Sequence, residues 1–173
     1  DAAVEQITWL ENQLRLARFY DDARVLARML SEWAQQLRTS QREGFFLCSG
    51  GGPGLMEACN RGARDAGGRS VGLNISLPHE QDPNPYITTE ELNVEFHYFF
   101  MHKLWFVQMA VGLVVFPVGF GTLDELAEVL TLIQTGRSQP MPIIVYGSEF
   151  WDDVIDFDAL LRWGTISPED LGL

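Results

Sequence analysis

Apolar residues recur along this chain first with the period of a helix, then in short runs separated by glycine turns. From Val4 to Leu37, Leu10, Leu14 and Ala17, and then Ala23, Leu26, Leu30 and Trp33, follow helical spacing. Tyr20-Asp21-Asp22 predicts a break within that stretch, with Asp21 or Asp22 capping a second helix. After a polar loop, Phe45-Phe46-Leu47-Cys48 reads as a short strand running into Ser49-Gly50-Gly51-Gly52-Pro53-Gly54, with a helix expected from Leu55 to about Ala66. Gly67-Gly68 ends that helix, and Ser70 to Ile75 reads as the next strand. Pro78, Pro83 and Pro85 predict an irregular loop, and Leu92 to Phe96 alternates weakly, as an edge strand does. Phe99 to Met109 is helical in pattern and almost wholly apolar, which predicts deep burial. A strand over Val111–Phe116, a helix after Glu125, a strand over Pro142–Tyr146 and a helix around Phe150–Leu161 follow. The tail through Ile166 and Leu173 has little pattern.

Strands alternating with helices imply an α/β fold: a Rossmann-like three-layer domain whose parallel sheet is covered by helices on both faces. No repeat, low-complexity tract or linker divides the sequence, so residues 1–173 are expected to form a single domain. Doubly wound domains usually open on a strand and this chain opens on helices, so a first strand is expected upstream of Asp1.

Composition narrows the partners. At 173 residues, 46% hydrophobic and 21% charged, the chain can bury a core of its own. Its longest apolar run, Met109 to Val118, is interrupted by Gly112 and Pro117 and falls short of the roughly 20 residues that span a bilayer. With no signal peptide either, a cytoplasmic protein that engages no membrane is expected. The net charge of −12 disfavours nucleic acid, whose backbone needs Lys and Arg to displace counterions. A nucleotide-sized anion remains open, because a helix N-terminus binds anions without net positive charge. Cys48 and Cys59 lack metal-ligand spacing and read as buried, reduced thiols. His79, His97 and His102 are scattered, so no metal is expected.

Chemistry concentrates at two glycine turns. Pro117-Val118-Gly119-Phe120-Gly121-Thr122-Leu123-Asp124-Glu125 joins an apolar strand to a helix start, presenting free N–H groups and a positive dipole end to a phosphate. Asp124 and Glu125 then fall in the expected first helical turn. Capping offers a second reading of the same residues, with Thr122 as N-cap and the acids stabilising the dipole. Ser49 to Gly54 is the other turn. It matches neither the dinucleotide fingerprint nor a P-loop, yet its glycines let a ligand approach the backbone. Two such turns at the carboxyl ends of parallel strands are expected to flank one crevice.

These residues also carry a family resemblance. The run from Ser49-Gly-Gly-Gly-Pro-Gly through Glu57-Ala58-Cys59-Asn60-Arg61-Gly62 resembles one signature element of the LOG family, long labelled lysine decarboxylase-like, which includes the cytokinin riboside 5′-monophosphate phosphoribohydrolases. Pro117 to Glu125 is similar to its second motif, and Gly72 to Tyr86, Phe96-His97-Tyr98 and Leu130 to Gly136 are similar to its longer bacterial branch. The resemblance implies a homodimer or higher homo-oligomer that hydrolyses the N-glycosidic bond of a nucleoside 5′-monophosphate to free base and ribose 5-phosphate, with no metal or cofactor. It implies Glu125 as the catalytic acid residue, and the glycine-turn backbone (Gly51, Gly52, Gly54, Gly119, Gly121 and Thr122) as holding the phosphate. Glu57 would contact the ribose or orient the site.

Two positions depart from the family pattern. Val118 stands where the motif has glycine, and a branched side chain there would crowd a phosphate or strain the turn. His102 stands where the family has an active-site arginine, beside Lys103, which could contact phosphate. Against hydrolysis stands a different class of reading, a non-catalytic binder or carrier of a phosphorylated nucleotide or molybdenum-cofactor-type ligand. Amino-acid decarboxylation is disfavoured, since nothing in the sequence suggests a pyridoxal-phosphate lysine.

Overall fold

The computed structural model describes residues 2–40, 44–76, 82–117 and 119–172; Val118, His79 and Pro78 lie outside them. The chain divides into two compact units, residues 1–102 and 103–173, described in turn.

The first unit opens with α1 (Ala2–Thr39), a single helix of 38 residues. The break expected at Tyr20-Asp21-Asp22 is absent. Aspartate inside a helix costs only about 0.5 kcal/mol in propensity, and neither proline nor glycine interrupts the stretch. Packing decides instead, because Phe19 and Ala23, on either side of the expected break, are both buried where α1 packs on α2 (Leu55–Asp65). The buried face continues through Ala27, Ser31 and Ala34, so the seam is one of small residues, and the larger Met29 and Trp33 face outward. Across it α2 presents Ala58, Gly62 and Ala63, and a Cβ at Gly62 would collide with the Arg24 carbonyl. Toward its start α1 leaves Val4, Ile7, Trp9, Leu10 and Leu14 exposed.

Three parallel strands, β1 (Leu47–Ser49), β2 (Ser70–Ile75) and β3 (Asn93–Phe96), form a sheet in that order. Leu47 pairs with Ser70, and Gly72 with Asn93. Central β2 buries Ser70, Gly72, Leu73 and Asn74, whereas β3 is the edge strand that its weak alternation predicts. Gly67 closes α2 at φ 65°, with Gly68 N–H donating to the Ala63 carbonyl at 2.9 Å. Cys48, expected to be buried, is exposed, because β1 too is an edge strand; both cysteines are free thiols.

The helix α3 (Phe99–Gln108) forms where its apolar pattern predicts. The burial does not follow: Phe99, Phe100, Leu104 and Trp105 are 46–66% exposed. An almost wholly apolar helix has no polar face to turn outward, so the residues that miss a partner stay in solvent.

The second unit pairs β4 (Leu113–Val115) with β5 (Ile143–Val145) in parallel, Val115 opposite Val145. Between them runs α4 (Phe120–Gln134). Its core is Val115, Leu126 and Trp151, joined by a second cluster of Val107, Val129 and Ile133. The Trp151 indole N–H donates to the Tyr146 carbonyl at 3.0 Å, so the buried ring leaves no polar atom unpaired. The single closing helix expected over Phe150–Leu161 is two, α5 (Ser148–Val154) and α6 (Phe157–Arg162). Asp156 separates them as an N-cap, its Oδ1 accepting from Ala159 N–H at 2.7 Å and its Oδ2 from Arg162 at 2.9 Å. Every described strand pair is parallel and α-helices follow β1, β3, β4 and β5, so the α/β class expected from the sequence holds, as two parallel sheets, one per unit.

Candidate functional site

Each unit carries one glycine turn leading a strand into a helix. In the first, β1 ends at Ser49 and α2 begins after Gly54, which serves as N-cap at φ 71° without any side-chain cap. Gly51 sits at φ 76°, and a Cβ there would collide with the Asn74 amide, so conformation and space both require glycine.

Glu57 lies in the first turn of α2, where its Oε1 accepts a 2.6 Å hydrogen bond from the Tyr20 hydroxyl of α1. Arg61 donates to the same hydroxyl at 3.3 Å. Burial and then the Glu57 hydrogen bond push the Tyr20 phenol above its ordinary pKa. One carboxylate oxygen of Glu57 is thus committed to holding α1 against α2.

The turn also rests on a residue that pattern reading passes over. Asn84, 6% exposed, donates through Nδ2 to the carbonyls of Gly51 at 2.9 Å and Gly52 at 3.1 Å, and to Asn60 Oδ1 at 2.8 Å. Asn60 is fully buried on α2 and accepts also from Ser49 Oγ at 2.7 Å. An asparagine between Pro83 and Pro85, and another on the alanine face of α2, were the available signals. Both read as ordinary loop and helix polarity until the fold brings them together.

His102 is buried, and its Nε2 lies 2.9 Å from the Leu73 carbonyl of β2. A carbonyl only accepts, so Nε2 carries the proton. Burial lowers the imidazole pKa, with the Leu73 bond opposing, so the ring is neutral near pH 7.

In the second unit α4 starts at Phe120, ahead of the start that Thr122 as N-cap would give, with Gly119 as N-cap and no side-chain cap. Thr122 is therefore within the first turn rather than the cap. Asp124 and Glu125 fall in the second turn, which removes the capping explanation for both acids. Gly119 and Gly121 are exposed, neither has positive φ, and a Cβ on either would meet nothing within 4 Å. Neither backbone strain nor packing asks for glycine at these two positions.

Glu125 is half-buried and titrates at about 7, raised first by burial and then by the negative charge of Asp124, with Glu128 adding to it and Lys103 opposing. Lys103, the single lysine of the sequence, directs its ammonium at Asp124 Oδ2, 2.8 Å away, and Glu128 Oε2, 3.1 Å away. Those carboxylates hold it charged, with a pKa above the ordinary lysine value. A Schiff-base lysine needs a neutral amine, so the arrangement runs against pyridoxal-type chemistry at Lys103.

No helix among the described residues is long and apolar enough to cross a membrane.

Residues 56–173 match the protein-family model described as "Possible lysine decarboxylase". The pyrimidine/purine nucleotide 5′-monophosphate nucleosidase of Escherichia coli K12 is 30% identical over 111 residues, covering 58% of this chain and 24% of that protein. The same nucleosidase of Escherichia coli O157:H7 matches to the same extent. The chain thus spans about a quarter of the length of these relatives. A solved structure of a molybdenum cofactor carrier protein from Chlamydomonas reinhardtii aligns over 82% of this chain and 89% of its own, at 19% identity and a TM-score of 0.44. With a family model matched over more than half its length, and both glycine motifs in order, this chain belongs to the family described as possible lysine decarboxylase, the one its sequence resembles.

Proposed function

We propose that the protein is a nucleoside 5′-monophosphate phosphoribohydrolase, cleaving the N-glycosidic bond with water to free base and ribose 5-phosphate. The observation that carries the reading is Glu125: a half-buried acid in the second turn of a helix whose uncapped N-terminus is flanked by two glycines that the fold itself does not require. The first-turn N–H groups of Phe120, Gly121 and Thr122 offer a phosphate site. At 1.5 Å rise per residue, Glu125 lies about 7 Å further along the axis, roughly the reach of a ribose 5-phosphate.

The chemistry follows from charge. Loss of the base leaves oxocarbenium character on the ribose, which an adjacent carboxylate stabilises. The same carboxylate accepts a proton from the attacking water, whose oxygen forms the new bond to the anomeric carbon as the C–N bond breaks; the base leaves with that electron pair and takes up one proton, and release of the proton from Glu125 restores the ionised acid. A pKa near 7 suits that role, because a substantial fraction of the group is ionised near neutral pH and it is basic enough to take a proton. Binding energy from the phosphate holds the sugar against the acid.

In the first unit, Gly51, Gly52 and Gly54 form the second ligand-binding turn, and Glu57 with Tyr20 supports the helix that follows it. His102 acts from its seat on Leu73 as a neutral group, and Lys103 acts through its pairing with Asp124 and Glu128. On this reading the enzyme works in the cytoplasm as a homo-oligomer, for which the exposed Phe99, Phe100 and Trp105 offer contact area.

A second reading, a non-catalytic binder or carrier of a phosphorylated nucleotide or molybdenum-cofactor-type ligand, draws on the cations. His102 is neutral and Lys103 is already paired, so neither supplies a free permanent charge where the family has arginine. One experiment separates the two: incubation with a panel of nucleoside 5′-monophosphates and the corresponding unphosphorylated nucleosides. Release of free base from the monophosphates alone supports hydrolysis; a ligand that raises the melting temperature and is recovered intact supports the carrier.

A further inference from the structure

The buried amides beneath the first glycine turn form one connected device. Asn84 brings two amide protons to three acceptors, the Gly51 and Gly52 carbonyls and Asn60 Oδ1. Its own backbone N–H donates to the Gly51 carbonyl at 2.8 Å, so that oxygen is held twice by one residue. Asn84 Oδ1 in turn accepts from Tyr86 N–H at 3.1 Å, which fixes which way the amide faces. On the other side Ser49 Oγ donates to Asn60 and accepts from Gly51 N–H at 3.1 Å. Asn60 Nδ2 reaches the Val71 carbonyl of β2 at 3.4 Å.

Satisfied asparagines this deeply buried are unusual unless their geometry matters, since each must recover its desolvation through hydrogen bonds. Here they act on one peptide group. The peptide plane is rigid and trans, so a Gly51 carbonyl turned toward Asn84 sends the Gly52 N–H the opposite way. The Gly52 N–H takes no hydrogen-bond partner among the described residues. Gly51 at φ 76° against the Asn74 amide leaves that peptide little room to turn over.

We infer that Asn84, seated on Asn60, is a positioning residue that holds the Ser49–Gly54 turn preformed for an anion, with the Gly51 and Gly52 carbonyls drawn in and the Gly52 N–H turned out. This rests on the phosphate-binding reading given above and adds to it the residue that keeps the carbonyl oxygens away from a negative ligand. Without the lock, a carbonyl lone pair can rotate to where the anion must sit, and binding then has to bear the cost of turning the peptide back.

The test uses the whole chain and needs no variant to begin. In ¹⁵N–¹H spectra titrated with inorganic phosphate, the Gly52 amide shifts in saturable fashion. If amides of Phe120 to Thr122 respond and Gly52 does not, the inference fails while the phosphate-binding reading stands; if neither turn responds, the reading itself fails. Asn84→Asp then keeps size but loses both donors. It is expected to raise KM for a nucleoside 5′-monophosphate about tenfold or more, with kcat changed less than about threefold. A loss confined to kcat, or an unchanged KM, would overturn the assignment.

Discussion

The Lys103 ammonium sits 2.8 Å from the Asp124 carboxylate, so the one lysine of this chain pairs with the neighbour of the candidate catalytic acid. Burial first, and then the negative charge of Asp124, carry the Glu125 pKa to about 7, with Lys103 opposing and Glu128 adding to the rise. The pair also holds α3 to α4 within the second unit and screens part of the charge that Glu125 feels.

Two substitutions should therefore move the acid limb of the pH–rate profile in opposite directions. Asp124→Asn removes a charge that raises the Glu125 pKa and shifts the limb to lower pH. Lys103→Met removes the one that lowers it and shifts the limb upward. Profiles of kcat/KM from pH 5 to 9 read both; shifts of the same sign would contradict the assignment of that limb to Glu125.

The same group makes stability depend on pH. Glu125 is raised in the folded state from an ordinary 4.5 to about 7, so between those values the folded protein holds a proton that the unfolded chain has lost. Stability from this group is therefore present below about pH 4.5 and falls as pH rises toward 7. Glu125→Gln escapes the loss. Its melting temperature relative to wild type is expected to climb between pH 5 and 8, by the equivalent of at least about 1 kcal/mol after discounting for partial exposure. A difference that stays constant with pH would show that Glu125 titrates normally.

Gly62→Ala tests the seam between α1 and α2. A new methyl would meet the Arg24 carbonyl and lie 2.7 Å from the Ala27 Cβ, contacts that backbone cannot yield cheaply. Destabilisation of about 2 kcal/mol or more is expected despite the better helix propensity of alanine. A neutral or stabilising result in urea denaturation would mean the helices are not packed this closely.

Tyr20→Phe keeps the ring and removes the hydroxyl that links Glu57 and Arg61. A loss of about 1–2 kcal/mol is expected, since Glu57 loses a short hydrogen bond in a partly buried setting. Unchanged thermal unfolding would show that the link contributes nothing.

Much of this architecture was legible in the sequence because local signals agreed with the fold. Gly67-Gly68 stops α2, Ser70–Ile75 is the central strand residue for residue, and the weak alternation over Leu92–Phe96 yields an edge strand. Where reading failed, a non-local contact decided. Tyr20-Asp21-Asp22 reads as a break only when the docking of Phe19 and Ala23 is ignored. The start of α4 at Phe120 is hidden because Gly119 caps it without a side-chain bond while Thr122 offers the capping hydroxyl, and that misplacement makes Asp124 and Glu125 look like first-turn acids. Cys48 looked buried because an apolar run says nothing about which edge of a sheet it occupies. At the site, Glu125 was accessible through motif and spacing, and its raised pKa was not, since that depends on burial and on how Lys103 is shared. Asn84 was invisible, because a polar residue between two prolines signals a loop and nothing about what lies above it.

The central claim, that Glu125 carries N-glycosidic hydrolysis of a nucleoside 5′-monophosphate, is tested most directly by chromatographic detection of free base from AMP and other 5′-monophosphates, wild type beside Glu125→Gln. Wild type should release base together with an equal amount of ribose 5-phosphate. Glu125→Gln should reduce the rate by about 100-fold or more while the protein stays folded. Equal release by the two proteins, or none by wild type with the nucleotide recovered intact, would contradict it.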